Sequence, residues 1–143
     1  MNLLIGSETM SRVLDWQDRA TSILFGDGAG AVVLQASHEE GGVLSSVLRS
    51  DGSGADLLGI PAHKTPYNLK YKPHKMYMVG REVFKFATRV ITECVNEAIY
   101  QAGITLDEVK LIIPHQANER ILLSAARSLN VEPDRFMSTL EHY

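Results

Sequence analysis

His115 carries the most versatile chemistry in the sequence, within LIIPHQANERI, Leu111 to Ile121, where an apolar run meets the start of a helical pattern. A neutral imidazole both donates and accepts hydrogen bonds, and its ordinary pKa near ~6.5 suits proton transfer or a contact to developing negative charge. Pro114 has a fixed φ and helps define how the apolar run ends, while Gln116 and Asn118 add polar atoms at the mouth of the next helix. On residue type alone, His115 is either a functional group or a hydrogen-bonded structural histidine. His38, His63, His74 and His142 lie in polar or loop-like sequence and form no HExxH or similar spacing, so no metal site is expected.

Cys94 is the only cysteine. It falls on an apolar helical stripe and reads as a small buried hydrophobe, because a nucleophilic thiol needs access and an electropositive neighbour. One cysteine also excludes an internal disulfide framework and a thiolate zinc cluster, which fits a reducing cytoplasm. FGDGAG, Phe25 to Gly30, lacks the terminal GK[ST] of a phosphate loop and does not match GxGxxG before a helix. Its glycines read instead as a tight turn. Arg19, Lys85, Arg120 and Arg127 are isolated cations, of which Arg120 and Arg127 lie two helical turns apart on roughly one face. They are either solvated or able to receive an acidic, phosphorylated partner.

The elements that must position these groups follow from periodicity. Leu3 to Ile5 reads as a short buried strand, Thr21 to Leu34 as strand, glycine turn and strand, and Val43 to Arg49 as a third strand. From Asp51 to Lys75, Pro61, Pro66 and Pro73 with Tyr67 and Tyr71 break every period, so a long surface loop with at most a helical turn is expected. Arg81 to Gly103 is the best helix, with Val83, Phe86, Ala87, Val90, Cys94 and Ala98 in a stripe wide enough for burial against a sheet. Gly103 closes it. Thr105 with Asp107 and Glu108 predicts a capped turn, Lys110 to Ile113 a strand, and Gln116 to Leu129 a helix that buries Ile121, Leu122, Ala125 and Leu129. Pro133 stops the pattern, and Arg135 to Leu140 opens another strand. Strands followed by alternating helix and strand give a layered α/β protein with no linker between domains.

The composition, 45% hydrophobic and 22% charged, is that of a folded domain able to bury a core. A formal net charge of -3 argues against nucleic acid. No run of about 20 apolar residues could cross a membrane.

Three motifs in order, DRATSILFGDGAGAVVL (Asp18 to Leu34), MVGREVFKFA (Met78 to Ala87) and IIPHQANERI (Ile112 to Ile121), resemble the β-ketoacyl-acyl carrier protein synthase III family across essentially the whole chain. The resemblance implies a thiolase-like layered fold of two related halves, with residues 1–30 ending the first and residues 31–143 forming an incomplete second. It implies an acyltransferase that condenses acyl-CoA, acetyl-CoA above all, with malonyl-acyl carrier protein, losing carbon dioxide and giving β-ketoacyl-acyl carrier protein. It also implies a cytoplasmic homodimer with no tightly bound cofactor, the coenzyme A thioester being substrate and the carrier protein the partner.

His115 matches the family histidine that, with an asparagine, hydrogen-bonds the malonyl thioester oxygen. The resemblance assigns Arg19 to the adenine end of coenzyme A and Met78, Gly80, Phe84, Ala117 and Asn118 to the pantetheine tunnel. Lys85, Arg120 and Arg127 resemble the surface that receives acyl carrier protein. The acyl-carrying cysteine belongs before Arg19, where the sequence has none, and the partner asparagine just after the motif represented by MSTLEHY, Met137 to Tyr143. The isolated chain is therefore expected to be inactive. Alternatives are a polyketide or quinolone-type condensing enzyme and a noncatalytic fragment that binds coenzyme A or carrier protein.

Overall fold

The computed structural model describes residues 1–38, 41–63 and 71–142. Its residues cluster into two compact units, one of Met1–Gly41 with Asp51–Gly80 and one of Gly42–Ser50 with Arg81–Tyr143.

In the first unit, β1 (Asn2–Thr9) pairs antiparallel with β2 (Asp27–Leu34), Gly6 facing Gly30 and Glu8 facing Gly28. Gly28 and Gly30 thus lie inside a strand, which corrects the expected glycine turn. The chain reverses instead through a 3₁₀ turn at Met10–Arg12 and the short helix α1 (Arg19–Ser22), capped by the Asp18 carboxylate on Ala20 N at 3.0 Å. Thr21 therefore belongs to a helix and not to the expected strand. Asp27 at the mouth of the hairpin accepts from Ser11 N at 2.8 Å and Ser11 Oγ at 2.6 Å, bonds that hold its carboxyl below the ordinary range.

Leu3 to Ile5 does form strand, but every residue of β1 and β2 is exposed, Leu3 at 62% and Val33 at 61%. The expected burial fails because a two-stranded pair has two faces to cover, and both stay open among the described residues. The unit buries Leu14, Thr21 and Met76 instead. Thr21 is satisfied there by its Oγ1 bond to the Asp18 carboxylate at 2.9 Å. Met76 N donates to Val13 O at 2.8 Å and Lys75 Nζ to Leu14 O at 2.9 Å, fastening this core.

The expected loop after Asp51 holds more order than predicted. It contains a 3₁₀ turn at Gly52–Gly54 and the two-residue strand β3 (Leu58–Gly59), antiparallel to β4 (Tyr77–Met78). Tyr71 stacks on Tyr77 with ring centroids 3.7 Å apart. Pro66 and Tyr67 lie outside the described residues.

In the second unit, α2 (Gly80–Ala102) forms where the period predicts, and Gly103 closes it at φ +69°. Its apolar stripe is half-buried, Cys94 included, apart from Phe86, which is exposed, so the predicted deep burial is not met. The expected strand Val43 to Arg49 has no ladder among the described residues. Ser45 Oγ donates to Ala98 O at 2.7 Å and Arg49 pairs with Glu97, which lays this segment along α2.

The capped turn forms at Leu106–Glu108. The Glu108 carboxylate accepts from Thr105 N at 2.7 Å and Thr105 Oγ1 at 2.8 Å, and the backbone bond first, then the hydroxyl bond, depresses its pKa. The predicted strands Lys110 to Ile113 and Arg135 to Leu140 shrink to one parallel bridge, Ile112 with Phe136.

Helix α3 (Glu119–Leu129) starts later than Gln116 because Asn118 is its N-cap, and Asn130 ends it in the left-handed region at φ 54°. Ile121, Leu122, Ala125, Ala126 and Leu129 are buried, the predicted four among them. Leu122, Ala125, Ala126 and Leu129 join Ile112 and Phe136 in one cluster, against which Ile91 and Val95 of α2 pack. This cluster ties α2 to α3.

Candidate functional site

Three cations converge at the first turns of α2 and α3. Arg81, Phe84 and Lys85 from α2 meet Asn118 and Arg120 from α3 around an open pocket of about 370 Å³. The spacing explains the convergence: Arg81, Phe84 and Lys85 recur at three and four residues and share a face of α2. The shared apolar cluster presses Ile91 and Val95 toward α3.

The Arg120 guanidinium lies 6.0 Å from the centroid of the Phe84 ring, an attraction of about 0.5–1 kcal/mol at an exposed position. Lys85 donates to Glu82 at 2.8 Å, and that hydrogen bond holds the Glu82 carboxyl below its ordinary range. Asn118 Oδ1 accepts from Arg120 N at 2.8 Å, so its oxygen caps α3 while its amide nitrogen can donate to a ligand. The pocket therefore combines an aromatic wall, an amide donor and local positive charge on a chain of formal charge -3. Such a mouth suits a thin apolar chain ending in phosphate or carried by an acidic surface.

The structure thus brings together Phe84, Lys85, Asn118 and Arg120 among the predicted residues. Arg127 is exposed near the far end of α3 and does not line the pocket. Ala117 is half-buried between Gln116 and Asn118. Arg19 is exposed as the first residue of α1, and Met78 ends β4, both in the first unit. Gly80 opens α2, where an added Cβ would meet Met78 Cε at 3.5 Å, an ordinary contact.

His115 is exposed and lies on the short segment between the Ile112 bridge and the N-cap of α3. Ile112 N donates to Arg135 O at 2.8 Å and receives Met137 N at its own oxygen at 2.9 Å, so the backbone before His115 is fixed. Arg81 is not among the residues expected from the sequence, and its four-residue spacing to Lys85 is the one local signal that marks it. Gln116, expected only as a polar atom at the helix mouth, reaches back to Thr139. No sequence period marks that long-range pair. Among the described residues no group of His, Cys, Asp or Glu could hold a metal ion, and no helix is long and apolar enough to cross a membrane.

Residues 2–52 match the family model for 3-oxoacyl-[acyl-carrier-protein] synthase III, and residues 99–143 match that family's C-terminal model. The chain belongs to the 3-oxoacyl-[acyl-carrier-protein] synthase III family. It is 42% identical over 145 residues to the β-ketoacyl-[acyl-carrier-protein] synthase III of Clostridium acetobutylicum, covering 99% of this chain and 44% of that protein. The crystal structure of 3-oxoacyl-[acyl-carrier-protein] synthase III from Aquifex aeolicus superposes with a TM-score of 0.86 at 38% identity, covering 99% of this chain and 42% of that one.

The priming β-ketosynthase of the R1128 polyketide pathway is also similar, with a TM-score of 0.72 at 31% identity over 95% of this chain and 41% of that one. The chain therefore spans less than half the length of these synthase III relatives. The expected thiolase-like α/β fold is borne out by these structural matches.

Proposed function

We propose that this chain is part of an acyltransferase that condenses acyl-CoA, acetyl-CoA above all, with malonyl-acyl carrier protein to give β-ketoacyl-acyl carrier protein. The observation that carries this reading is the cationic, aromatic-walled pocket of Arg81, Phe84, Lys85, Asn118 and Arg120. It stands three residues from a histidine on the same segment of a chain in the synthase III family.

In this reading His115 donates a hydrogen bond to the malonyl thioester oxygen. Negative charge grows on that oxygen as the carbon–carbon bond to carbon dioxide breaks, so a fixed donor lowers the barrier at the point where charge appears. In the catalytically competent enzyme, His115→Ala should slow decarboxylation on the order of 100-fold, measured as carbon dioxide release from malonyl-acyl carrier protein.

Phe84, Ala117 and Asn118 take the pantetheine chain, with Met78 and Gly80 assigned to the same ligand and Arg19 to its adenine end. Lys85, Arg120 and Arg127 receive the acidic carrier protein. Arg127, outside the pocket, contributes long-range attraction and Arg120 direct contact. Residues 1–30 belong to the end of the first thiolase-like half and residues 31–143 to the second. The enzyme works in the cytoplasm as a homodimer, with coenzyme A thioester as substrate and no tightly bound cofactor.

Cys94 does not carry the acyl group in this scheme: it sits in the middle of α2, half-buried on the apolar stripe. Labelled acetyl-CoA followed by intact-mass measurement should leave Cys94 unmodified, and a stoichiometric thioester there would overturn the assignment.

Titrating the chain with carrier protein bearing its phosphopantetheine arm tests the binding half of the proposal. Amide signals of Phe84, Asn118 and Arg120 should move, and Arg120→Glu should abolish the shift. Unmoved signals at all three would sink the reading. The similarity to a priming ketosynthase favours one rival, a polyketide-type condensing enzyme, and profiling acyl substrates separates the two.

A further inference from the structure

We propose that Gln116 is the positioning residue that aims His115, through a clamp on Thr139. The proposal rests on the reading of His115 as a hydrogen-bond donor to substrate and deepens it. His115 is exposed, and the backbone that carries it sets the direction of its Cα–Cβ bond and hence which rotamers bring the imidazole to a substrate. That backbone is held at two points. Before His115, the Ile112 bridge closes with bonds of 2.8 Å to Arg135 O and 2.9 Å from Met137 N.

Immediately after it, Gln116 Oε1 accepts from Thr139 N at 2.6 Å and from Thr139 Oγ1 at 3.2 Å. Between the anchors lie only Ile113, Pro114 and His115 itself, and Pro114 has its φ locked by its ring. A three-residue span pinned at both ends and stiffened in the middle has few ways to turn the Cα–Cβ bond of its last residue.

The chemistry of the clamp is one-directional. A backbone N–H and a hydroxyl both present hydrogens, so the amide oxygen of Gln116 must face Thr139, and a carboxylate would serve equally as acceptor. The backing strip is itself braced, because the Arg135 guanidinium donates to the carbonyls of Leu106 and Val109. Gln116 thus joins the segment bearing His115 to a strip anchored on the 3₁₀ turn at Leu106–Glu108. Its neighbour Asn118 caps α3, and Gln116 is the residue that ties the chain to the strip on the C-terminal side of His115, as Ile112 does on the N-terminal side.

Hydrogen exchange and imidazole NMR on Gln116→Leu, Gln116→Glu and Thr139→Ala test the clamp on the full chain. Gln116→Leu should speed exchange of the Thr139 amide about three- to tenfold, the effect of losing one net hydrogen bond, while Ile112 and Met137 exchange as before. The His115 imidazole signals should shift and broaden in the same variant. Gln116→Glu should restore both, and Thr139→Ala, which keeps the N–H, should show the smaller change.

Unchanged Thr139 exchange in Gln116→Leu overturns the clamp. Changed exchange with an unaltered His115 spectrum overturns the positioning role. Should Gln116→Leu fail to fold, the pair Gln116→Glu and Thr139→Ala decides the matter: altered His115 signals in Gln116→Glu equal to those of Thr139→Ala would overturn it. None of these readouts depends on turnover, so an enzyme indifferent to His115→Ala would defeat the catalytic reading while leaving the clamp standing.

Discussion

The β1–β2 hairpin and α3 are both rich in apolar residues, yet they end in opposite states. Along β1 and β2 every side chain is exposed, including Leu4 at 61% and Leu34 at 54%. Along α3 every apolar residue but the half-buried Leu123 is buried, with Ala125 and Ala126 at 0% and Leu122 at 4%. The difference lies in what each element needs. A helix with one apolar stripe requires one partner surface, and Ile112, Phe136 and the half-buried stripe of α2 supply it. A strand pair with apolar residues on both faces requires a cover on each side. Apolar content therefore reports a demand for burial and says nothing of whether that demand is met.

The sharpest way to break the comparison is to remove equal side chains from the two regions. Leu122→Ala should cost about 2–5 kcal/mol by urea denaturation, through lost burial and the cavity left behind. Leu4→Ala should stay within about 0.5 kcal/mol, as for a surface site. Equal losses would mean that the hairpin is buried in solution.

The N-cap of α3 comes next: Asn118→Ala should cost about 1 kcal/mol by the same measurement, and Asn118→Asp should recover most of it. A smaller change is expected in acid at the capped turn after α2. Because the Glu108 pKa lies below its ordinary 4.5, the turn is fully supported above that value and loses this support as pH falls through the lowered folded pKa. The Thr105 amide shift should titrate with a midpoint below 4.5, and a midpoint at or above it would contradict the contact. The smallest expected effect on stability is that of Val33→Thr in the hairpin. It should nonetheless reduce the fluorescence of a dye that binds apolar surface, since Val33 is 61% exposed.

The helical parts of the second unit could be read in advance because their information is local. The three- and four-residue spacing of α2, Gly103 at its end, the Thr105–Glu108 turn and the apolar stripe of α3 all act within a few residues. The strands could not be read as well. Gly28 and Gly30 look like a turn in isolation, but pairing with Glu8 and Gly6 draws them into a ladder. Val43 to Arg49 has strand-like residues and finds only side-chain bonds to α2. A ladder depends on a partner distant in sequence, which composition does not name.

The same division holds at the site. The sequence by itself determined that His115 follows a proline at the end of an apolar run, that Asn118 stands where a helix begins, and that Arg120 and Arg127 share a face. Those properties depend on residue type and on periods of a few residues. Tertiary structure alone decided that Arg81, Phe84 and Lys85 would meet Asn118 and Arg120 around one pocket, and that Gln116 would grip Thr139. Both outcomes depend on long-range packing, because the cluster of Ile112, Leu122 and Phe136 brings segments distant in sequence close enough for short-range chemistry to act.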